Sequence, residues 1–218
     1  MHNIIFDYDG TLHETSYIYY QAFTQAYDYL VENNYMPERK FKVEEVTKWL
    51  GYNKYEMWSS FAPDLKQDIV DTVSNMIGDE MLNLIKNHKA KLYPGVIELL
   101  ENLKKDGRKL FILSNCKNSY MNAHRQEFKL DKYIDEYFCA EAYDFISKEE
   151  IFESIENKYP GPFIIVGDRF HDIKVATEHN LISIGTSYGF GEKEELKDAS
   201  YIASSPREIY EIIENIEK

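Results

Sequence analysis

Only two of the 218 residues are cysteines, Cys116 and Cys139, and no His spacing beside them makes a zinc cluster. Two are also too few for a disulfide framework, and they suit a reducing compartment. No stretch approaches the ~18 consecutive apolar residues that a membrane helix requires. Near the N-terminus only Ile4, Ile5 and Phe6 precede Asp7, which leaves no basic flank and apolar stretch for a signal peptide. A cytoplasmic location is therefore expected. Positive charge is short as well: 25 Lys and Arg stand against 38 Asp and Glu, a net of −13. A field of that sign repels nucleic acid and anionic membranes, so neither is expected as a partner. It does not exclude a small anionic substrate whose site carries its own cations. Internal repeats and low-complexity tracts are also missing.

What is present is 44% hydrophobic and 15% aromatic residues, ample for a buried core. The length suits one large domain, or one domain with an insert. Short apolar runs at 3–8, 109–113, 162–166 and 181–184 are bounded by Gly, Asp or Ser and read as buried strands. Helical spacing fills 96–105, 118–128, 148–158 and 172–179 between and after them. Residues 201–203 add a short last strand, and Pro206 opens a final helix over 207–216. The predicted fold is α/β, a doubly wound parallel sheet with helices on both faces. Residues 14–88 break the rhythm, being helical throughout and punctuated by Pro37, Gly51, Pro63 and Gly78. Seventy-odd residues far exceed one crossover, so an inserted all-helical cap at 14–88 is expected on a core of 1–13 and 89–218. The alternative is a set of helices that simply covers one sheet face. Pro94-Gly95 marks the re-entry, and hinges are expected near 13–16 and 89–94.

Ligands of open α/β sheets bind beyond the carboxyl ends of the strands. There the sequence places Asp7-Tyr8-Asp9-Gly10-Thr11-Leu12, then Ser114-Asn115, then Gly167-Asp168 with Asp172 four residues on, and Lys148 opens an intervening helix. Alternation lets Asp7 and Asp9 converge while Tyr8 points away. Gly10 permits a sharp turn whose N–H groups can receive an anion. Singly these features have plainer readings: Asp-Gly is a hairpin signal, and Asp172 suits a helix N-cap. Together, four carboxylates on one rim need a counter-charge. Hard oxygen ligands without a His or Cys cluster suit Mg²⁺. One Mg²⁺ and Lys148 bring −4 to −1, and a proton on Asp9 brings it to 0, which a phosphate dianion could approach.

The four motifs, in this order, resemble the haloacid dehalogenase-like phosphohydrolases, which share a Rossmann-like core. The stretch from Gly167 through Ser183-Ile184-Gly185 to Tyr188-Gly189-Phe190-Gly191 is most similar to the phosphoglycolate-phosphatase and nucleotidase-like branch. The resemblance implies that Asp7 is the nucleophile of an aspartyl-phosphate and Asp9 the general acid and base, its main-chain carbonyl on Mg²⁺. It makes Ser114 and the N–H of Asn115 phosphoryl contacts and Lys148 the neutralising cation. Asp168 ligates the metal, with Asp172 as ligand or just behind. Gly10 and Thr11 belong to the substrate loop, and Lys54 is a candidate phosphate or carboxylate contact in the cap. A second Asp at position 9 favours an alcohol leaving group over a halide. The substrate implied is a small phosphorylated metabolite: phosphoglycolate, a sugar phosphate or a mononucleotide. A phosphomutase would share every catalytic residue, and a phospho-accepting signalling domain also places an Asp at a strand end. Cys116 reads as a small buried thiol. Arg169 reads as an orienter of Asp7 or Asp172, or as a loop salt bridge. Trp49, Tyr52, Tyr55, Trp58 and Phe61 read as cap core, and 192–195 as a solvated helix face.

Overall fold

Ile4 and Phe6 face one side of the first strand and Ile5 the other, and all three are buried. A strand apolar on both faces must lie inside a sheet covered twice. The computed structural model, which describes residues 1–52 and 54–218, builds that sheet from β1 (Asn3–Phe6), β2 (Leu110–Ser114), β3 (Glu136–Cys139), β4 (Phe163–Gly167), β5 (Ile182–Thr186) and β6 (Tyr201–Ala203). All pairings are parallel and the order is β3-β2-β1-β4-β5-β6. That order reverses direction between β1 and β4, where doubly wound folds open a crevice. The helices are α1 (Ser16–Glu32), α2 (Val43–Thr47), α3 (Lys54–Phe61), α4 (Gln67–Lys86), α5 (Val96–Lys105), α6 (Asn118–Phe128), α7 (Lys148–Lys158), α8 (Phe170–Glu178) and α9 (Pro206–Ile216).

The two faces bury separate sets of side chains. Ile5, Phe111, Leu113, Phe163 and Ile165 pack on Ile151, Phe152 and Ile155 of α7 and on Val175 and Ala176 of α8. Ile4, Phe6, Leu110, Ile112, Ile164, Val166 and Ile184 turn the other way, towards Leu99, Leu100 and Leu103 of α5 and Ile209 and Ile213 of α9. The same apolar cluster runs on into α1–α4, which lie between β1 and β2. No strand occurs from α1 to α4 among the described residues. Edge-to-face rings of Phe23, Tyr27, Phe41 and Phe61 fill the interior of this helical segment. The two chain passages joining it to the sheet pair with each other: Glu14 N–H donates to Lys91 O at 2.9 Å, and Tyr93 N–H to Leu12 O at 3.0 Å.

Several elements differ from those predicted. β3 was not foreseen, because an edge strand that opens on Glu136 and half-exposed Tyr137 shows little apolar run. β1 stops at Phe6, so the alternation argument does not reach Asp9. α8 starts at Phe170, which makes Asp172 its third residue rather than its N-cap; its Oδ2 accepts the N–H of Arg169 at 3.1 Å and satisfies the helix start from inside. Residues 193–196 form a short 3₁₀ turn.

Candidate active site

Asp7 follows β1 and Asp168 follows β4, so the parallel pairing of these strands sets both carboxylates at the switch point of the sheet. Asp172 comes from the first turn of α8 and Lys148 from the first residue of α7, whose N-cap Ser147 accepts the N–H of Glu150. Lys148 Nζ donates to Asp7 Oδ1 at 2.6 Å and to Asp172 Oδ1 at 2.7 Å, with all three side chains at most 4% exposed. Asp7, Asp168 and Asp172 each bring a carboxylate oxygen within 4.8 Å of the others. Both oxygens of Asp172 are engaged, one by Lys148 and one by Arg169 N–H. Asp168 Oδ2 accepts Phe190 N–H at 2.6 Å. Asp7 Oδ2 and Asp168 Oδ1 are buried without a partner.

One ammonium is therefore bonded to two of three buried carboxylates. Burial pushes Asp7 up to about 7 from 3.8; Lys148 works against that rise and Asp172 adds to it. Burial, then Asp7 and Asp172, raise Asp168 well above the carboxylate range. For Lys148, burial opposes the charge, but Asp172 and Asp7 outweigh it and hold the ammonium protonated. Two unpartnered hard oxygens in an over-negative pocket suit an oxygen-loving divalent cation, so the residues present fit Mg²⁺.

Asp9 lies apart from this cluster. Its Oδ1 accepts Thr15 Oγ1 and Tyr120 OH, both at 2.7 Å, and lies 2.9 Å from His13 Nδ1. Burial alone would raise Asp9, yet the hydrogen bond and charge of His13 and the Thr15 hydroxyl hold it below the usual range. The protonated Asp9 of the charge count is thus not the state this geometry favours. Gly10 and Thr11 do not offer their N–H groups to an anion: Gly10 donates to His13 O at 2.9 Å and Thr11 towards Tyr8 O at 3.4 Å. Gly10 serves by its backbone, at φ +87°, and by having no Cβ, which would overlap the carboxylate of Asp168. Gly189 is confined likewise, against the side chain of Asp168 and the carbonyl of Gly10.

Asp7, Asp9 and Ser114 open onto a cavity of about 230 Å³ beneath the helical segment. Tyr19, Trp49, Leu50, Met57, Trp58 and Met81 are among the side chains of its largely apolar wall. Lys54 also lines it, but its Nζ is held by Asp71 Oδ1 at 2.9 Å. Trp58 Nε1 donates to Ser74 Oγ at 2.8 Å and Phe61 turns inward; Trp49, Tyr52 and Trp58 line the cavity, whereas Tyr55, expected in the core, is exposed at the surface. Asn115 Nδ2 donates to Gly51 O at 3.1 Å. Arg169 reaches neither Asp7 nor Asp172 with its guanidinium; Nη1 donates to Lys48 O at 3.1 Å and Leu50 O at 3.0 Å, and Nε to Glu195 at 2.9 Å. Glu195 is thereby more than a solvated charge. Two residues of the strand-end loops, Asn115 and Arg169, thus hold three carbonyls of the segment 48–51.

The sequence reading missed Phe190 N–H, Tyr120 and the His13–Thr15 pair. His13 and Thr15, close after Asp9, were the available signal; Tyr120, 111 residues away, left none.

The family model of the haloacid dehalogenase-like hydrolases matches residues 4–186, most of the chain. A phosphoglycolate phosphatase of Synechococcus elongatus is 22% identical over 98% of this chain and 97% of its own length. The pyrophosphatase PpaX of Bacillus cereus is 23% identical over 79% of this chain and 77% of its own. The crystal structure of a predicted phosphatase from Clostridium acetobutylicum superposes with a TM-score of 0.81 at 23% identity, covering 98% of each chain. The chain belongs to the haloacid dehalogenase-like hydrolases.

Proposed function

We propose that the protein is a Mg²⁺-dependent phosphomonoesterase that works through an aspartyl-phosphate on Asp7. The observation that carries this reading is the buried trio of carboxylates beside one lysine, with two unpartnered oxygens, and Asp7 of that trio opening onto a cavity. Asp7 and Asp168 would hold the ion, with the carbonyl of Asp9 and with Asp172 behind them; bound there, it supplies positive charge against the phosphoryl oxygens. A carboxylate oxygen of Asp7 attacks phosphorus, the P–O bond to the alcohol breaks, and Asp9 gives the departing oxygen its proton. Water then attacks the same phosphorus, Asp9 takes its proton, and phosphate leaves with Asp7 restored. The ionised Asp9 clasped by His13, Thr15 and Tyr120 is in the state required for that second half. Lys148 neutralises the nucleophile and the phosphoryl oxygens, and Ser114 with the N–H of Asn115 positions the group in transfer.

Residues 14–88 act as a lid in this reading, turning on 13–16 and 89–94 and excluding water during attack. The cavity is smaller than the ~300 Å³ at which small-ligand pockets usually begin, and its wall is largely apolar, which favours a compact alcohol. That wall also counts against a phosphomutase, which must hold a polar sugar in two orientations. A panel of phosphate esters with and without Mg²⁺, on the wild type and on Asp7→Asn and Asp9→Asn, tests the proposal. Steady Mg²⁺-dependent release of phosphate, lost in both variants while they stay folded, is the expected result. An isomer in place of phosphate would indicate the mutase, and normal turnover by Asp7→Asn would remove the assigned nucleophile.

A further inference from the structure

Cys116 and Cys139 are 23 residues apart in sequence, yet their sulfurs lie 3.8 Å from each other. The sheet brings them together: Ser114, the last residue of β2, pairs with Cys139, the last residue of β3. Cys116 follows two residues later in the loop that carries Ser114 and Asn115. Cys139 is buried, whereas Cys116 is half-buried and lines the catalytic cavity. A small oxidant that enters the cavity therefore meets Cys116 first, with a second thiol directly behind it.

We propose that Cys116 and Cys139 form a peroxide-oxidisable dithiol that closes to a disulfide and slows turnover at the adjacent site. The S–H of Cys116 donates to Cys139 Sγ, so loss of the other proton leaves the thiolate on Cys139, and the remaining proton must cross this contact to free the sulfur of Cys116. When the remaining proton sits on Cys139, the Cys116 thiolate attacks a peroxide oxygen. The O–O bond breaks, hydroxide leaves and becomes water, and Cys116 carries a sulfenic acid. Cys139 then gives up its proton, attacks that sulfur and expels the hydroxyl as a second water. Two thiols lose two electrons and hydrogen peroxide is reduced to two waters. The sulfurs must approach by ~1.8 Å to reach the ~2.05 Å bond length. Cys139 is fixed in the sheet, so the loop moves. It takes with it Asn115, the neighbour of Cys116, and with Asn115 the hold on Gly51 O of the helical segment. The effect on turnover rests on the phosphatase reading; the disulfide itself does not.

The full-length chain is treated with a small excess of hydrogen peroxide and followed by intact mass, thiol titration and non-reducing peptide mapping. Hydrolysis of para-nitrophenyl phosphate with Mg²⁺ is measured in parallel. The expected outcome is an intrachain peptide joining 116 to 139, loss of both titratable thiols, and turnover lower by about 10²-fold, the scale of a ~1 Å misplacement of positioning groups. Dithiothreitol restores both. Cys139→Ser keeps the basal turnover and forms no intrachain link. Chains cross-linked to one another, sulfinic acid without a link, or the same reversible loss in Cys139→Ser would overturn the proposal. A complete link with unchanged turnover would overturn the switch and leave the phosphatase reading standing. A reduced protein inactive on every phosphate ester would fail that reading, while mass and peptide mapping still decide the disulfide.

Discussion

Replacing Asp7 should make the metal-free protein more stable. Asp7 is buried, and its pKa lies at about 7 against 3.8 for an ordinary aspartate, a rise driven by burial that Lys148 only partly offsets. That rise from 3.8 to about 7 makes the ionised carboxylate cost the folded state roughly 4 kcal/mol above neutral pH. Water entry and relaxation around the side chain lower that cost, so about 2–4 kcal/mol is recovered by Asp7→Asn, whose side-chain oxygen can still accept Lys148. For a chain of this size that is roughly 5–15 °C in melting temperature. The pH dependence has a fixed sign. A folded pKa above the unfolded one means the contribution of Asp7 is fully present below 3.8 and is lost as pH rises through about 7. The advantage of the Asp7→Asn variant is therefore largest at pH 8 and falls to less than half by about pH 5. Thermal melts of both proteins in chelator at pH 5, 6.5 and 8 measure this. A variant that melts at or below the wild type at pH 8, or one whose gain is the same at every pH, refutes the charge reasoning.

Other perturbations of the cluster carry their own signs. Lys148→Met removes the cation shared by Asp7 and Asp172 and should cost about 3–5 kcal/mol in chelator, the penalty for breaking a buried pair; chemical denaturation reads it, and an unchanged midpoint contradicts it. Mg²⁺ should raise the melting temperature more at pH 8 than at pH 5, because raised Asp7 and Asp168 must shed protons to receive it. An equal shift at both pH values would detach the ion from these carboxylates. Arg169→Ala removes the donor to Lys48 O and Leu50 O and should raise KM several-fold, with faster proteolysis or amide exchange around 48–51. Unaltered exchange there would show that the guanidinium does not hold the helical segment down.

How far the sequence foretold this depends on how local each signal was. Ile4–Phe6 and Phe163–Val166 are apolar on both faces, and such strands declare themselves before any partner is known. The carboxylates at their ends follow, because the parallel pairing of β1 and β4 brings Asp7 and Asp168 together once the strands are right. β3 escaped notice because an edge strand with a half-exposed start does not carry a buried strand's pattern. Tyr120 beside Asp9 and the carbonyls held by Arg169 were hidden for a different reason. Tyr120 reaches Asp9 from 111 residues away, and Arg169 meets carbonyls 119 and 121 residues away. No spacing rule links such positions; only the finished packing does. Position 9 also shows where a periodicity argument ends: β1 stops at Phe6, and the turn at Gly10 sends Asp9 to the side of His13.

The most direct measurement is chemical capture of the phosphorylated enzyme. Protein turning over a phosphate ester with Mg²⁺ is quenched in acid, reduced with borohydride and mapped by mass spectrometry. An acyl phosphate is reduced to an alcohol, so conversion of the side chain at position 7 to that of homoserine is the predicted result. Phosphate release that proceeds with position 7 unmodified, or with the label on another residue, would contradict the account.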